Sequence, residues 1–239
     1  MRKIIIAVMS ISIAIAAIFI SLVEFKQEYF AISIFFMVFL SIPSYFYLIK
    51  KTSSIKAMKT ILILSLFSMI IETIGVVTGF PYGFFSYTQS LGPKIGVVPW
   101  TVSFGWVPLV IASWALTDRF LKNQTSILKK AIVGSVIITI FDLVLDPGAV
   151  VLKFWVWVPQ GVYYNVPISN FLGWIFSGFI GMIIILKLMK NEKPDNNLLL
   201  TAFFGNIFWT FIAIMGGMTI PMVVGIALTI FLSKIIFLK

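Results

Sequence analysis

The chain has 239 residues, 60% of them apolar and 11% charged, with a net charge of +10 and a mean hydropathy of +1.09. Soluble domains carry about 25% charged residues, so a soluble globular fold is excluded. Disordered, collagen-like and disulfide-stapled chains are excluded with it, because apolar runs are long, glycine has no period and cysteine is absent.

In chain order, Arg2 and Lys3 precede an uncharged run over 4–23 that predicts a first membrane span. Ala14-Ile15-Ala16 looks like a signal-peptide cleavage site, but the apolar run continues past the point where a signal core ends. Further spans are predicted at about 29–49, 60–78, 97–117, 128–146 and 168–188. The uncharged stretch 196–233 is too long for one crossing, and Gly216-Gly217 and Pro221 divide it into helices at about 198–215 and 220–237. The expected fold is all-α: a polytopic bundle of about eight transmembrane helices forming one integral-membrane domain over 1–239.

Charge placement tests that count. With the N-terminus inside, fifteen Lys and Arg fall on the cytoplasmic side and only Lys26, Lys94 and Lys153 outside. This positive-inside bias predicts cytoplasmic termini in a multi-pass protein of the cell membrane. It also assigns the basic excess to anionic headgroups rather than to nucleic acid. Inner connections are short and polar. Two outer segments, 79–100 and 147–167, are long, weakly charged and rich in Trp, Tyr, Pro and Gly. Each aromatic residue alone is explained by an interfacial belt, but loops of this length are expected to cover a site.

Eight acidic residues occur, and Glu24, Glu28, Asp118, Glu192 and Asp195 fall at span ends or in loops, where solvation explains them. Glu72, Asp142 and Asp146 do not. Glu72 is about 18 Å into the third predicted span, and Asp142 and Asp146 are about 16 and 22 Å into the fifth. All three therefore reach a similar depth in the outer half of the bilayer. Asp142 and Asp146 share a helical face, and Pro147-Gly148 is expected to end that helix. A carboxyl at such depth costs about 2.5–3.5 kcal/mol, so it should face the protein interior or a wet cavity. Desolvation and like charge favour the protonated acid, the form a general acid needs. The plain alternative is a set of packing or capping carboxylates satisfied by Trp, Tyr and Asn donors.

With neither His nor Cys in the chain, nucleophilic triads and the usual zinc or haem ligands are missing. No phosphate-binding glycine motif occurs. Asp142-x-x-x-Asp146 matches half of a magnesium–diphosphate site of the membrane prenyltransferase kind, but Glu72 stands alone in its span and supplies no second cluster. What remains is acid–base chemistry on an apolar substrate without metal or organic cofactor.

The same residues sit in longer strings. The third span and its loop read Glu72-Thr-Ile-Gly75-Val-Val-Thr-Gly79-Phe-Pro81-Tyr-Gly83-Phe-Phe-Ser-Tyr87, then Leu91-Gly92 and Val98-Pro99. The fifth span and its loop read Asp142-x-x-x-Asp146-Pro147, Trp155-x-Trp157, then Gly161-Val-Tyr163-Tyr164-Asn-Val-Pro167-x-Ser-Asn170-Phe-x-Gly173-Trp174. Over roughly 60–180 the chain resembles the integral-membrane carotenoid hydratases, which include bisanhydrobacterioruberin hydratases, carotenoid 1,2-hydratases and proteins known only as carotenoid biosynthesis proteins. Asn165 stands where many relatives carry glycine.

The resemblance implies a lyase that adds water to the terminal double bond of an acyclic C40 or C50 carotenoid. Protonation gives a tertiary carbocation, aromatic faces stabilise it, and water attacks to leave a tertiary alcohol. The implied partners are a lipid-soluble polyene, membrane lipids and other carotenoid enzymes. On this reading Asp142, the deeper of its pair, is the general acid. Glu72 orients water or acts as base, and Asp146 holds the pair's charge state. Tyr82, Tyr87, Trp155, Trp157, Tyr163 and Tyr164 are candidates for the pocket wall, and Asn170 for a hydrogen bond to a carboxyl or to the water. Two other readings stay open: a prenyltransferase-like enzyme of isoprenoid metabolism, and a non-catalytic carotenoid-binding or transport protein.

Overall fold

The computed structural model describes residues 1–23, 30–121 and 125–237. Glu24, Lys26, Glu28, Lys122 and Lys239 of the charge argument lie outside the described residues. Eight helices form among those described: α1 (Arg2–Leu22), α2 (Phe30–Lys51), α3 (Ser54–Thr78), α4 (Val102–Phe120), α5 (Ile127–Val151), α6 (Ile168–Leu188), α7 (Leu200–Met215) and α8 (Thr219–Phe237). The protein is an all-α bundle. Six helical segments, namely α1, α2, α3, α6, α8 and α7 taken with the 3-10 turn Asn196–Leu199 that leads into it, are long and apolar enough to cross a membrane by length and composition. Helices α4 and α7 are the most enclosed, with α4 buried almost continuously from Val102 to Thr117. Helix α4, surrounded by other helices, needs no apolar face toward lipid, whereas α5 keeps one, with Leu128, Ile132, Val136 and Ile140 exposed, and turns Asp142 and Asp146 inward.

The outer helices are patterned inside out. On α3, Met58, Leu62, Leu66, Ile70 and Ile74 recur every four residues and are exposed. The opposite face buries Thr60, Ser68, Glu72 and Gly75. Large apolar side chains thus meet lipid, while small and polar ones meet other helices, as bilayer packing requires.

Three helix boundaries differ from those predicted, two of them on α3 and α5 and the third at the start of α4. Helix α3 starts at Ser54 rather than near 60, because the Ser53 side chain accepts from the Lys56 N–H and caps the helix early. Helix α5 passes through Pro147-Gly148 and continues to Val151. A proline has no N–H and frees the carbonyl four residues back, here that of Leu143. The Tyr163 hydroxyl donates to that oxygen at 3.0 Å. A side chain from a distant loop therefore makes the missing bond, and the helix need not stop.

The two outer segments fold together into a cap. Strand β1 (Phe85–Tyr87), from the first, pairs antiparallel with β4 (Trp155–Trp157), from the second, placing Phe85 opposite Trp157 and Tyr87 opposite Trp155. Residues 97–101, predicted to begin the fourth span, instead contribute β3 (Val98–Pro99), paired with β2 (Lys94–Ile95). Asn165 has φ +69°, the left-handed region that glycine fills most readily and that asparagine tolerates better than other side chains. The glycine expected at this position would fill the same turn.

Candidate active site

Under the cap lies a cavity of about 160 Å³, walled by α2, α4, α5, α7 and the β1–β4 pair. Its polar end is built from four elements. Glu72 comes from α3, Asp142 and Asp146 from α5, Asn170 from the first turn of α6, and Tyr82 and Tyr87 from the first cap segment. All three carboxyl residues are buried: Glu72 is 4% exposed, Asp142 0% and Asp146 2%. The similar depth read from the sequence thus becomes actual proximity. Glu72 and Asp146 line the cavity, whereas Asp142 is enclosed behind its wall.

The hydrogen bonds are few and specific. The Tyr87 hydroxyl donates to Glu72 Oε2 at 2.8 Å. One amide group, Asn170 Nδ2, donates to Asp142 Oδ2 at 3.0 Å and also to Asp146 Oδ2, bridging the carboxyl pair. Among the described residues, no Lys or Arg forms an ion pair with any of the three carboxyls. Burial first, and the facing Glu72 second, hold the Tyr82 and Tyr87 phenols well above the usual tyrosine range. Both therefore keep their protons at any physiological pH, and Tyr87 donates its own to Glu72.

Tyr82 is held by two glycines of the quoted strings. Added Cβ atoms at Gly75 and Gly173 would come within 2.8 Å and 2.5 Å of the Tyr82 ring, so α3 and α6 can clasp it only where each lacks a side chain. Gly173→Ala is expected to cost about 1–3 kcal/mol through overpacking, read as a lower unfolding temperature in detergent. Gly205→Ala on α7, where nothing lies within 4 Å of an added Cβ, is the neutral comparison.

The remaining wall is aromatic. Phe85 packs on Trp157 at 4.8 Å between ring centroids and on Tyr87 at 5.3 Å, and Tyr87 meets Trp155 at 5.8 Å. Tyr82 and Trp106 both flank Trp174, at 6.2 and 6.1 Å. Of the residues expected at the wall, Tyr82, Tyr87, Trp155, Trp157 and Asn170 line the cavity, and Tyr163 and Tyr164 do not. Tyr163 braces α5 at Leu143, and the Tyr164 hydroxyl accepts from the Ile220 N–H at the start of α8. Phe85, Trp106 and Asn206 join the lining without having been singled out from sequence. Asn206 carried a usable signal, a lone amide inside an apolar helix. Trp106 carried none, since one more aromatic in an apolar span is unremarked.

The family described as carotenoid biosynthesis protein matches residues 29–232. A bisanhydrobacterioruberin hydratase of Haloarcula japonica is 38% identical over 124 residues. The match covers 51% of this chain and 42% of that protein, so the chain spans less than half the relative's length. No solved structure matches.

Proposed function

The chain belongs to the carotenoid biosynthesis protein family, and on that footing we propose that it hydrates the terminal double bond of an acyclic carotenoid end group to a tertiary alcohol. The observation that carries this reading is a bridged pair of buried carboxyl groups, with a third opposite, at the polar end of an aromatic cavity in a membrane bundle. An enclosed carboxyl pair is stable as one acid and one carboxylate rather than as two anions. It therefore carries both a proton donor and a proton acceptor.

In the proposed reaction the end group enters the cavity and Asp146 protonates the less substituted alkene carbon. The donor role expected for Asp142 passes to Asp146 because only Asp146 of the pair reaches the cavity. The tertiary cation forms between the Glu72 carboxylate, held by Tyr87, and the faces of Phe85 and Trp157. Water attacks the cation, and its proton goes to Asp142. Exchange within the bridged pair then returns the proton to Asp146, so the cycle closes without a cofactor.

The test is expression in cells that accumulate an acyclic carotenoid, followed by mass analysis of the pigments. A gain of one water per hydrated end is expected, and unchanged pigment masses in cells that contain the folded protein would sink the proposal. Repeating the assay with membranes in excess EDTA separates hydration from magnesium-dependent prenyl transfer, because hydration is expected to persist.

The proposed topology is eight crossings with both ends of the chain in the cytoplasm. A reporter fused after α8 is expected to read cytoplasmic, as the fifteen-to-three split of basic residues requires. An outside reading would reject the crossing count.

A further inference from the structure

Three polar atoms beside the acid pair have no hydrogen-bond partner among the described residues: Asp142 Oδ1, Ser177 Oγ and the Tyr82 hydroxyl. Their residues are 0%, 0% and 1% exposed. The Tyr82 hydroxyl faces Glu72 and Ser177, with Asp142 in electrostatic reach, yet closes no hydrogen bond of normal geometry. Ser177 lies seven residues beyond Asn170 on α6, hence two turns along the same helical face. The face that grips Asp142 through Asn170 therefore also presents Ser177.

Ser33, Ser113 and Thr117 also carry buried hydroxyls without a partner among the described residues, but Ser177 stands beside Tyr82, which in turn is in reach of Asp142. A serine or threonine inside a helix usually returns its hydroxyl to a carbonyl three or four residues back. Ser135 and Thr139 do so on α5, at 2.8 and 3.0 Å, and Ser177 does not. The Tyr82 ring cannot swing its hydroxyl elsewhere, being clasped by Gly75 and Gly173. An enclosed acceptor, phenol and hydroxyl left unmade cost free energy. One small molecule that both donates and accepts satisfies all three, and buried waters have about three such partners. Tyr82 lines the substrate cavity while Asp142 and Ser177 lie behind its wall, so the place borders the cavity but is too enclosed for a polyene.

We propose that Asp142, Tyr82 and Ser177 hold the water molecule that the reaction consumes. This rests on the hydratase reading and adds Ser177 and Tyr82 as residues that position the nucleophile. The alkene π pair forms the new C–H bond with the proton leaving Asp146. A lone pair of the held water forms the C–O bond at the tertiary carbon, one of its O–H bonds breaks, and that proton goes to Asp142 Oδ1. When the water is misplaced, the cation instead loses a C–H proton to the Asp146 carboxylate and reverts to alkene.

Reversion gives the test. In D₂O, wild-type protein and the variants Ser177→Ala and Tyr82→Phe are supplied with an acyclic C40 polyene and an acyclic C50 polyene. Alcohol and deuterium-labelled recovered alkene are then measured. A misplaced reactant costs about 10²-fold, so the ratio of alcohol to labelled alkene is expected to fall by about 10- to 100-fold in both variants, while their sum holds. Ser68→Ala, which removes a buried hydroxyl bonded to the Ser65 carbonyl, should leave the ratio at the wild-type value. An unchanged ratio in either folded variant overturns the water site. So does an equal fall of both products, which reports damage to the protonation step or the fold. If wild type yields neither product from either polyene, it is the hydratase reading itself that fails.

Discussion

Asp146→Asn is expected to lower hydration by about 10²–10⁴-fold, the usual contribution of a general acid, while the protein still folds. The asparagine matches the aspartate in size and can still accept from Asn170, so the bridge across the pair survives and only the transferable proton is lost. Glu72→Gln should fall in the same range for a different reason. Its amide oxygen still accepts from the Tyr87 hydroxyl, but the negative charge facing the carbocation is gone. Asp142→Asn removes the proton acceptor and blocks turnover as well. Initial rates in detergent, with unfolding temperatures taken alongside, check all three. Wild-type rates in folded Asp146→Asn and Glu72→Gln would show that the mechanism is wrong even if the substrate is right.

Asn170→Leu is expected to damage both stability and activity. Leucine is close to asparagine in size, so the change mainly deletes the donor shared by Asp142 and Asp146. The bond to the charged member of the pair contributes about 1.5–3 kcal/mol and that to the neutral acid about 1 kcal/mol, so unfolding stability should drop by about 2–4 kcal/mol. With no bridge, the proton of the pair is no longer held in one geometry, and hydration should fall by about 10²-fold. Chemical unfolding and product analysis separate the two effects. If neither changes, the carboxyl pair is organised by something other than Asn170.

Much of this protein is written along the chain. Apolar run length and charge placement gave the helices, with α6 forming over the very residues predicted. Counting residues placed Glu72, Asp142 and Asp146 at one depth, and they meet there. The long aromatic loops do form a cap over a cavity. These are axial properties: each residue adds about 1.5 Å along a helix, so height in the bundle is legible from sequence alone.

What the chain does not carry is the rotation of each helix against its neighbours and the pairing of distant loops. The tertiary structure alone decided that Asp146 faces the cavity while Asp142 lies behind the wall, although both occupy one helical face. It decided that α5 survives Pro147, because Tyr163 returns from the second outer segment to take up the Leu143 carbonyl. It gave Gly75 and Gly173 their purpose, since the need for a bare backbone appears only when the Tyr82 ring lies between α3 and α6. The physical reason is common to all three. Azimuth and loop pairing are set by packing energies summed over many partners far apart in sequence, which no local period records.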